Sequence, residues 1–223
     1  HLVEGTMLLG EPEMVQVKGT DHLIRARRLL ELNSAHNLLN VGESTLVGRG
    51  WELSAVEGIL ERSIQGHGSI VLLVGGPGIG KSRLVSELAA KAAARGVPVN
   101  STFCESHTSE IPFHAITGLL RAGFGVADLD RDAARAKLRD QVPDDTEESL
   151  ELLDDLLGIG DPDVVLPVID PDARRRRLTT LVNAASLART SPAVYVVEDA
   201  HWIDSVSESM LSDFLLVTPQ TPS

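Results

Sequence analysis

Residues 69–88 read SIVLLVGGPGIGKSRLVSEL. An apolar run, Ile70 to Val74, meets a glycine-rich turn, and a segment of helical pattern follows at once. The turn, Gly75-Gly76-Pro77-Gly78-Ile79-Gly80-Lys81-Ser82, matches G-x-x-x-x-G-K-[ST] in full. Glycines free the loop of Cβ atoms and allow positive φ, so successive N–H groups can curl around a phosphate. A helix opening near Gly80 adds its unpaired N–H donors and the positive end of its dipole. In this reading Lys81 reaches the β- and γ-phosphates, Ser82 offers its hydroxyl to Mg²⁺, and Arg83 follows as a further contact. The dinucleotide fingerprint G-x-G-x-x-G does not fit, because Lys81 holds the place of its third glycine. The bland alternative is a strand, a turn and a helix with no ligand.

The second informative stretch is SPAVYVVEDAHWIDS, Ser191 to Ser205. Val194 to Val197 has the β-rich apolar character of a central parallel strand covered on both faces. It ends in Glu198 and Asp199, where a strand of this kind would deliver carboxylates to the phosphate end. A hard cation such as Mg²⁺ takes oxygen ligands, and hydrolysis needs a carboxylate to orient water. Adjacent strand residues point to opposite faces, so Glu198 is assigned to the metal and Asp199 to catalysis with Lys81.

Composition sets outer bounds. The 223 residues are 43% hydrophobic and 23% charged, ordinary for an α/β domain with a short appendage. No apolar run approaches the roughly 18 residues that span a bilayer. A single cysteine, Cys104, excludes an internal disulfide framework and suits the cytoplasm, where this protein is expected. The net charge of −12 argues against direct nucleic-acid binding, and 3% aromatics against a base-stacking platform. Residues 128–172 hold fifteen Asp and Glu against four Arg and Lys, nearly the whole excess. Cys104, His107 and His114 could suggest zinc, but a fourth ligand and a standard spacing are lacking.

Six further segments complete the reading. Residues 1–32 hold two β-patterned runs around Gly19-Thr20-Asp21, a hairpin too small to be stable alone. Residues 33–45 are polar and aperiodic, a linker. From Trp51 to Gln65, Leu53, Val56, Ile59 and Leu60 recur at helical spacing. Residues 112–160 read as an acidic α-helical insertion beside the sheet. Arg174 to Arg177 open the next helix, with the acidic segment as their simplest partner. The closing TPQTPS reads as a frayed end.

Taken in order, LVGR (46–49), GGPGIGKS (75–82) and VVEDAHWID (196–204) resemble the STAND-like AAA ATPase module of large regulators, LuxR-type transcription factors and multidomain cyclases among them. The resemblance implies an α/β P-loop NTPase core, residues 46–223, that binds ATP and Mg²⁺ as a switch. It also puts Val47, Gly48 and Arg49 beside the adenine. Glu198 departs from the Asp common at its position. Residues 9–31, LGEPEMVQVKGTDHLIRARRLLE, resemble the closing hairpin of class III nucleotide cyclase domains. Together they imply a piece of a cyclase–ATPase fusion, with partners among the other domains of a regulator or in its own oligomer. In the family a later strand and a helical lid help complete the site, so the expectation is a C-terminally incomplete domain that binds ATP with little hydrolysis. The reading from a different class is an interaction module whose loop is vestigial.

Overall fold

The computed structural model describes residues 7–15, 24–32, 48–142 and 146–223. The chain divides into two compact units, His1–Thr45 and Leu46–Ser223. In the first, strands β1 (Met7–Val15) and β2 (Ile24–Leu32) pair antiparallel, from Met7 opposite Leu32 to Val15 opposite Ile24. The register slips on either side of Leu9, next to Pro12, which has no N–H to give to the ladder. The turn expected at Gly19-Thr20-Asp21 and the linker expected over 33–45 lie outside the described residues.

The second unit opens with helix α1 (Gly50–Ile64), whose Val56 and Leu60 are buried as the periodicity predicts. Helix α2 (Lys81–Ala94) follows the glycine-rich turn. Gly96, at φ +75, ends it: the Gly96 N–H donates to the Ala93 carbonyl and the Val97 N–H to that of Ala92. Only a residue free to adopt positive φ closes a helix this way at no steric cost. Strand β3 (Val99–Phe103) then pairs in parallel with β4 (Val194–Glu198), Val99 opposite Val194 through Phe103 opposite Glu198.

Between the two strands run α3 (His114–Gly123), α4 (Arg131–Gln141), α5 (Glu147–Leu156) and α6 (Pro171–Ala188), and α7 (Ser205–Val217) follows β4. Asp130, Thr146, Asp170 and Asp204 each accept hydrogen bonds from the first-turn N–H groups of α4, α5, α6 and α7, which fixes where these helices begin. Their apolar faces form the main core around Leu138, Leu153, Leu157, Leu178 and Leu181, against which Tyr195 and Val197 of β4 pack. A smaller cluster, Leu60, Ala92 and Val97, joins α1 and α2 to the start of the sheet. The α6 arginines meet acids as expected: Arg174 pairs with Asp155 and Arg177 with Glu148, while Arg175 reaches Asp213 of α7 at 3.3 Å. Inside the insertion, Asp154 is 1% exposed and receives Arg135 and Arg139 at 2.9 and 3.0 Å.

The architecture is α/β, with a small parallel sheet and a helical insertion. Two local expectations are corrected. Ile70–Val74 has no ladder partner among the described residues, and most of its apolar side chains are exposed. β4 is accordingly half-exposed along its length rather than covered on both faces, being hydrogen-bonded, among the described residues, to a strand on one side only. The closing segment is also ordered rather than frayed. Thr218–Gln220 form a 3₁₀ turn, Thr218 and Thr221 are buried, and the Thr221 N–H and hydroxyl both donate to the Thr218 carbonyl at 2.9 Å.

That segment seats against Gly68. A Cβ built there would stand 1.9 Å from the Thr218 carbonyl oxygen and 2.5 Å from that of Thr221. Both obstacles are backbone, which cannot rotate away as a side chain would. Gly68→Ala is therefore expected to destabilise the domain by about 1–3 kcal/mol, the usual cost of overpacking. Urea denaturation measures it, and limited proteolysis should find residues 218–223 newly cleavable. An unchanged midpoint would mean that the segment contributes nothing to the fold.

Candidate functional site

The glycine-rich turn lies between the unpaired run and α2, and its conformation follows from its glycines. Gly78 and Gly80 both have positive φ, +74 and +94, and Gly80 caps α2 in the left-handed region. A side chain at either would be strained. The Lys81 Nζ turns back over the loop and donates to the carbonyls of Gly75 at 2.9 Å and Gly76 at 3.0 Å. The loop thus holds a cation at its centre, and a phosphate entering it would exchange these two carbonyls for charge-assisted contacts. Pro77 and Ile79 are exposed on the loop, and Ser82 is exposed at the start of α2.

Arg83 does not face the loop: its guanidinium pairs with Glu87 one turn along α2. Arg49 sits just ahead of α1, bound to Glu52 at 2.6 Å, and its second terminal nitrogen donates to the Ile79 carbonyl at 3.2 Å. Residues 49 and 79 are thereby joined across thirty positions of sequence. The structure brings Arg49 to the phosphate loop's own backbone, a contact that sequence reasoning did not foresee. Gly48, at φ +76, makes the turn before it, and Val47 lies outside the described residues.

Across a cavity of about 760 Å³ from the loop stand the carboxylates of β4. Its wall includes Gly75, Pro77 and Lys81 on one side and Glu198, Asp199 and His201 on the other. Glu198 is held by the sheet, its carbonyl accepting from the Cys104 N–H at 3.1 Å. Its Oε1 is buried and has no hydrogen-bond partner among the described residues. An orphaned carboxylate oxygen is costly unless something meets it, so this donor set suits a hard cation. Asp199 takes φ +50, the left-handed region that Asp tolerates better than most residues, and its carbonyl accepts from the Trp202 N–H at 2.9 Å.

Asp204 was not picked out from the sequence as part of the site, although an Asp opening a Ser-rich helical segment is an N-cap signal. Its Oδ1 accepts from the Phe113 and Ser207 N–H groups at 3.0 and 2.9 Å, and its Oδ2 from that of Ala115 at 3.3 Å. One buried carboxylate therefore pins the starts of α3 and α7 together behind the Glu198–Asp199 turn. Burial works against its charge, but the bonds from Ser207, Ala115 and Phe113 outweigh it and hold its pKa below the ordinary value. Cys104 is buried nearby, and desolvation, with Asp204 and Asp199 adding negative potential, raises its pKa. It is a protonated packing residue. His107 is apart from it, beside Glu105 at 3.6 Å.

No helix among the described residues is long and apolar enough to cross a membrane. An uncharacterized protein of Rhizobium meliloti (strain 1021) is 28% identical over 203 residues, 80% of this chain. The chain spans only 19% of that relative's length. No solved structure gives a significant match. The family described as the AAA ATPase domain matches residues 45–223, which takes in the glycine-rich loop, the whole helical insertion and the β4 carboxylates. A nucleotide-binding P-loop module is what the loop geometry and this match have in common, and the chain belongs to the AAA ATPase domain family.

Proposed function

We propose that residues 46–223 bind ATP with Mg²⁺ and serve as the nucleotide switch of a larger signalling or transcriptional regulator. The observation that carries this is one cavity lined by both the Lys81 ammonium, seated in its loop, and Glu198, whose buried Oε1 has no hydrogen-bond partner among the described residues. Gly75 to Ser82 would wrap the phosphates, with Lys81 neutralising the β- and γ-phosphate charge. Ser82 and Glu198 would hold the cation, which when bound supplies charge neutralisation at the phosphate oxygens. Asp199 would orient water toward the γ-phosphate. Arg49 would fix the loop's shape through the Ile79 carbonyl, with Gly48 and Val47 lying toward the base. Residues 1–32 fit a hairpin left from a cyclase domain and 33–45 a linker, so the other domains of such a fusion, or further copies of the chain, are the partners proposed.

The assignment of the acids is tested by equilibrium ATP binding with and without magnesium. Glu198→Gln should weaken binding about tenfold or more when magnesium is present and change it little in EDTA. Asp199→Asn should stay within about twofold in both, since a water-orienting residue acts on hydrolysis. Equal losses from the two substitutions would remove this division of labour. Absence of ATP binding by the unaltered chain would leave the interaction module as the better reading.

A further inference from the structure

The stretch that carries the two carboxylates runs on into Ala200-His201-Trp202, and the nucleotide site proposed above makes no use of this part of it. Among the residues lining the cavity of about 760 Å³, only Lys81, Glu198, Asp199 and His201 bring a charged or imidazole side chain. The first three have proposed roles. The rest of the wall is chiefly aliphatic, drawn from α1, α2, residues 71–74 and β4. A cavity of this kind, mostly apolar with a few polar groups on its wall, takes its specificity from those few groups.

His201 is held in place without being used up. It sits in the 3₁₀ turn Ala200–Trp202 and is exposed. The turn begins at Asp199, whose φ of +50 persists in a non-glycine residue only where the surroundings impose it, commonly at a binding site. Backbone bonds close it: the Trp202 N–H donates to the Asp199 carbonyl at 2.9 Å, and the Ile203 N–H to that of Ala200 at 3.2 Å. Asp204 then anchors it by accepting from the Phe113 N–H at 3.0 Å. The imidazole packs on the ring of Trp202, with centroids 5.1 Å apart and planes at 45°. That contact restrains the ring and leaves its nitrogens available, for among the described residues neither has a hydrogen bond or an ion pair. His107 makes the contrast, with Glu105 beside it at 3.6 Å. Charged or neutral, an imidazole has at least one N–H to donate.

We infer that His201 is a further ligand-contacting residue of this cavity, one that donates to the terminal phosphate of the bound nucleotide and makes the site favour a triphosphate over a diphosphate. The inference rests on the nucleotide-binding reading and adds a specificity to it. The loop N–H groups wrap whichever phosphates are present, and Lys81 serves β- and γ-phosphates alike, so neither by itself separates ATP from ADP. His201 follows Asp199, the residue assigned to the water at the γ-phosphate, by two positions in the same short turn. The part of the nucleotide closest to that turn is therefore its terminal phosphate. A role confined to packing on Trp202 would need the ring and not its nitrogens.

Calorimetry separates these roles by comparing the parent chain with His201→Ala and His201→Phe, in magnesium, against ADP and an ATP analogue with a non-hydrolysable β–γ bridge. Phenylalanine keeps a ring for Trp202 and removes both nitrogens. Each variant should bind the ATP analogue about tenfold or more weakly than the parent, the usual effect of losing a hydrogen bond to a charged group. Affinity for ADP should stay within about twofold. Melting without nucleotide reports whether each variant is folded, and the phenylalanine variant decides the matter if the alanine variant is not. A folded phenylalanine variant that binds the analogue as the parent does would overturn the inference and leave His201 a packing residue. Equal losses for the analogue and for ADP would overturn it too, since they would mean a general disturbance of the site. Failure of the parent to bind either nucleotide would overturn the nucleotide reading and this inference with it, a result distinct from the other two.

Discussion

Lys81→Ala is expected to abolish the ATP-dependent rise in melting temperature while leaving the melting temperature of the free protein nearly unchanged. The two halves of this result have separate causes. Without ligand, the Lys81 Nζ binds only the carbonyls of Gly75 and Gly76, on an exposed loop where water replaces it at little cost. With ligand, it would be the cation set within the loop against the β- and γ-phosphates. At a hundredfold excess of ATP over its dissociation constant, binding stabilises by about 2.7 kcal/mol. For a domain of this size that corresponds to a rise of about 5–10 °C. Thermal unfolding with and without Mg·ATP reads both quantities. Full protection of the variant by ATP would mean that nucleotide binds elsewhere, and a collapse of the free variant would mean that Lys81 is a structural residue.

A loss of about 3–5 kcal/mol is expected for Asp154→Ala, far from the proposed nucleotide site. Asp154 is 1% exposed, and Arg135 and Arg139 reach it from one face of α4. Arg135 also touches Asp161 at 3.4 Å and Arg139 touches Glu147 at 2.9 Å, so the carboxylate is the hub of a network spanning α4, α5 and the loop beyond. Removing it leaves each half-buried guanidinium with only its more exposed second acid, Asp161 for Arg135 and Glu147 for Arg139. The penalty comes from losing the one buried partner of two partly desolvated charges rather than from the worth of the ion pairs themselves. Replacing Asp154, Arg135 and Arg139 together by apolar residues of similar size should recover much of the loss. Urea titration of the single and triple variants measures this. A single variant within about 1 kcal/mol of the parent would show that the network is dispensable.

What could be read from the sequence was local in origin. The loop, its glycines and the helix after it are specified by eight consecutive residues, and the structure places them where the pattern says. The same holds for strand β4 and for the helical insertion, whose Leu spacing is its own evidence. What escaped was pairing over distance. That Ile70–Val74 lacks a ladder partner cannot be seen in its apolar run, because a strand's sequence does not name its neighbour. That TPQTPS packs tightly against Gly68 was hidden by its composition: prolines and small polar residues suggest a loose end, yet Thr221 donates to the Thr218 carbonyl, Thr218 to that of Phe214, and both are buried. Arg49 was drawn to the adenine by resemblance, and its contact with the Ile79 carbonyl was not foreseen. Arg83 was counted with the loop, and its pairing with Glu87 one turn along α2 was not foreseen either.

The helical insertion carries one more consequence, for how this domain can vary. Val99 and Val194 pair across the parallel strands, so neighbours in the sheet lie 95 positions apart in sequence (194 minus 99). The entropy of closing such a connection grows only with the logarithm of its length, about 0.6 kcal/mol for each doubling. The four helices α3 to α6 bury their apolar faces chiefly on one another and on α7, so most of their stability is generated among themselves. What the sheet asks of them is narrow: the Asp204 clasp at the start of α3, and the packing of Tyr195 and Val197. Growth, loss or exchange of helices beyond those anchor points is therefore thermodynamically cheap. The nucleotide end and the insertion are free to diversify at different rates, one held by stereochemistry and the other only by its own core.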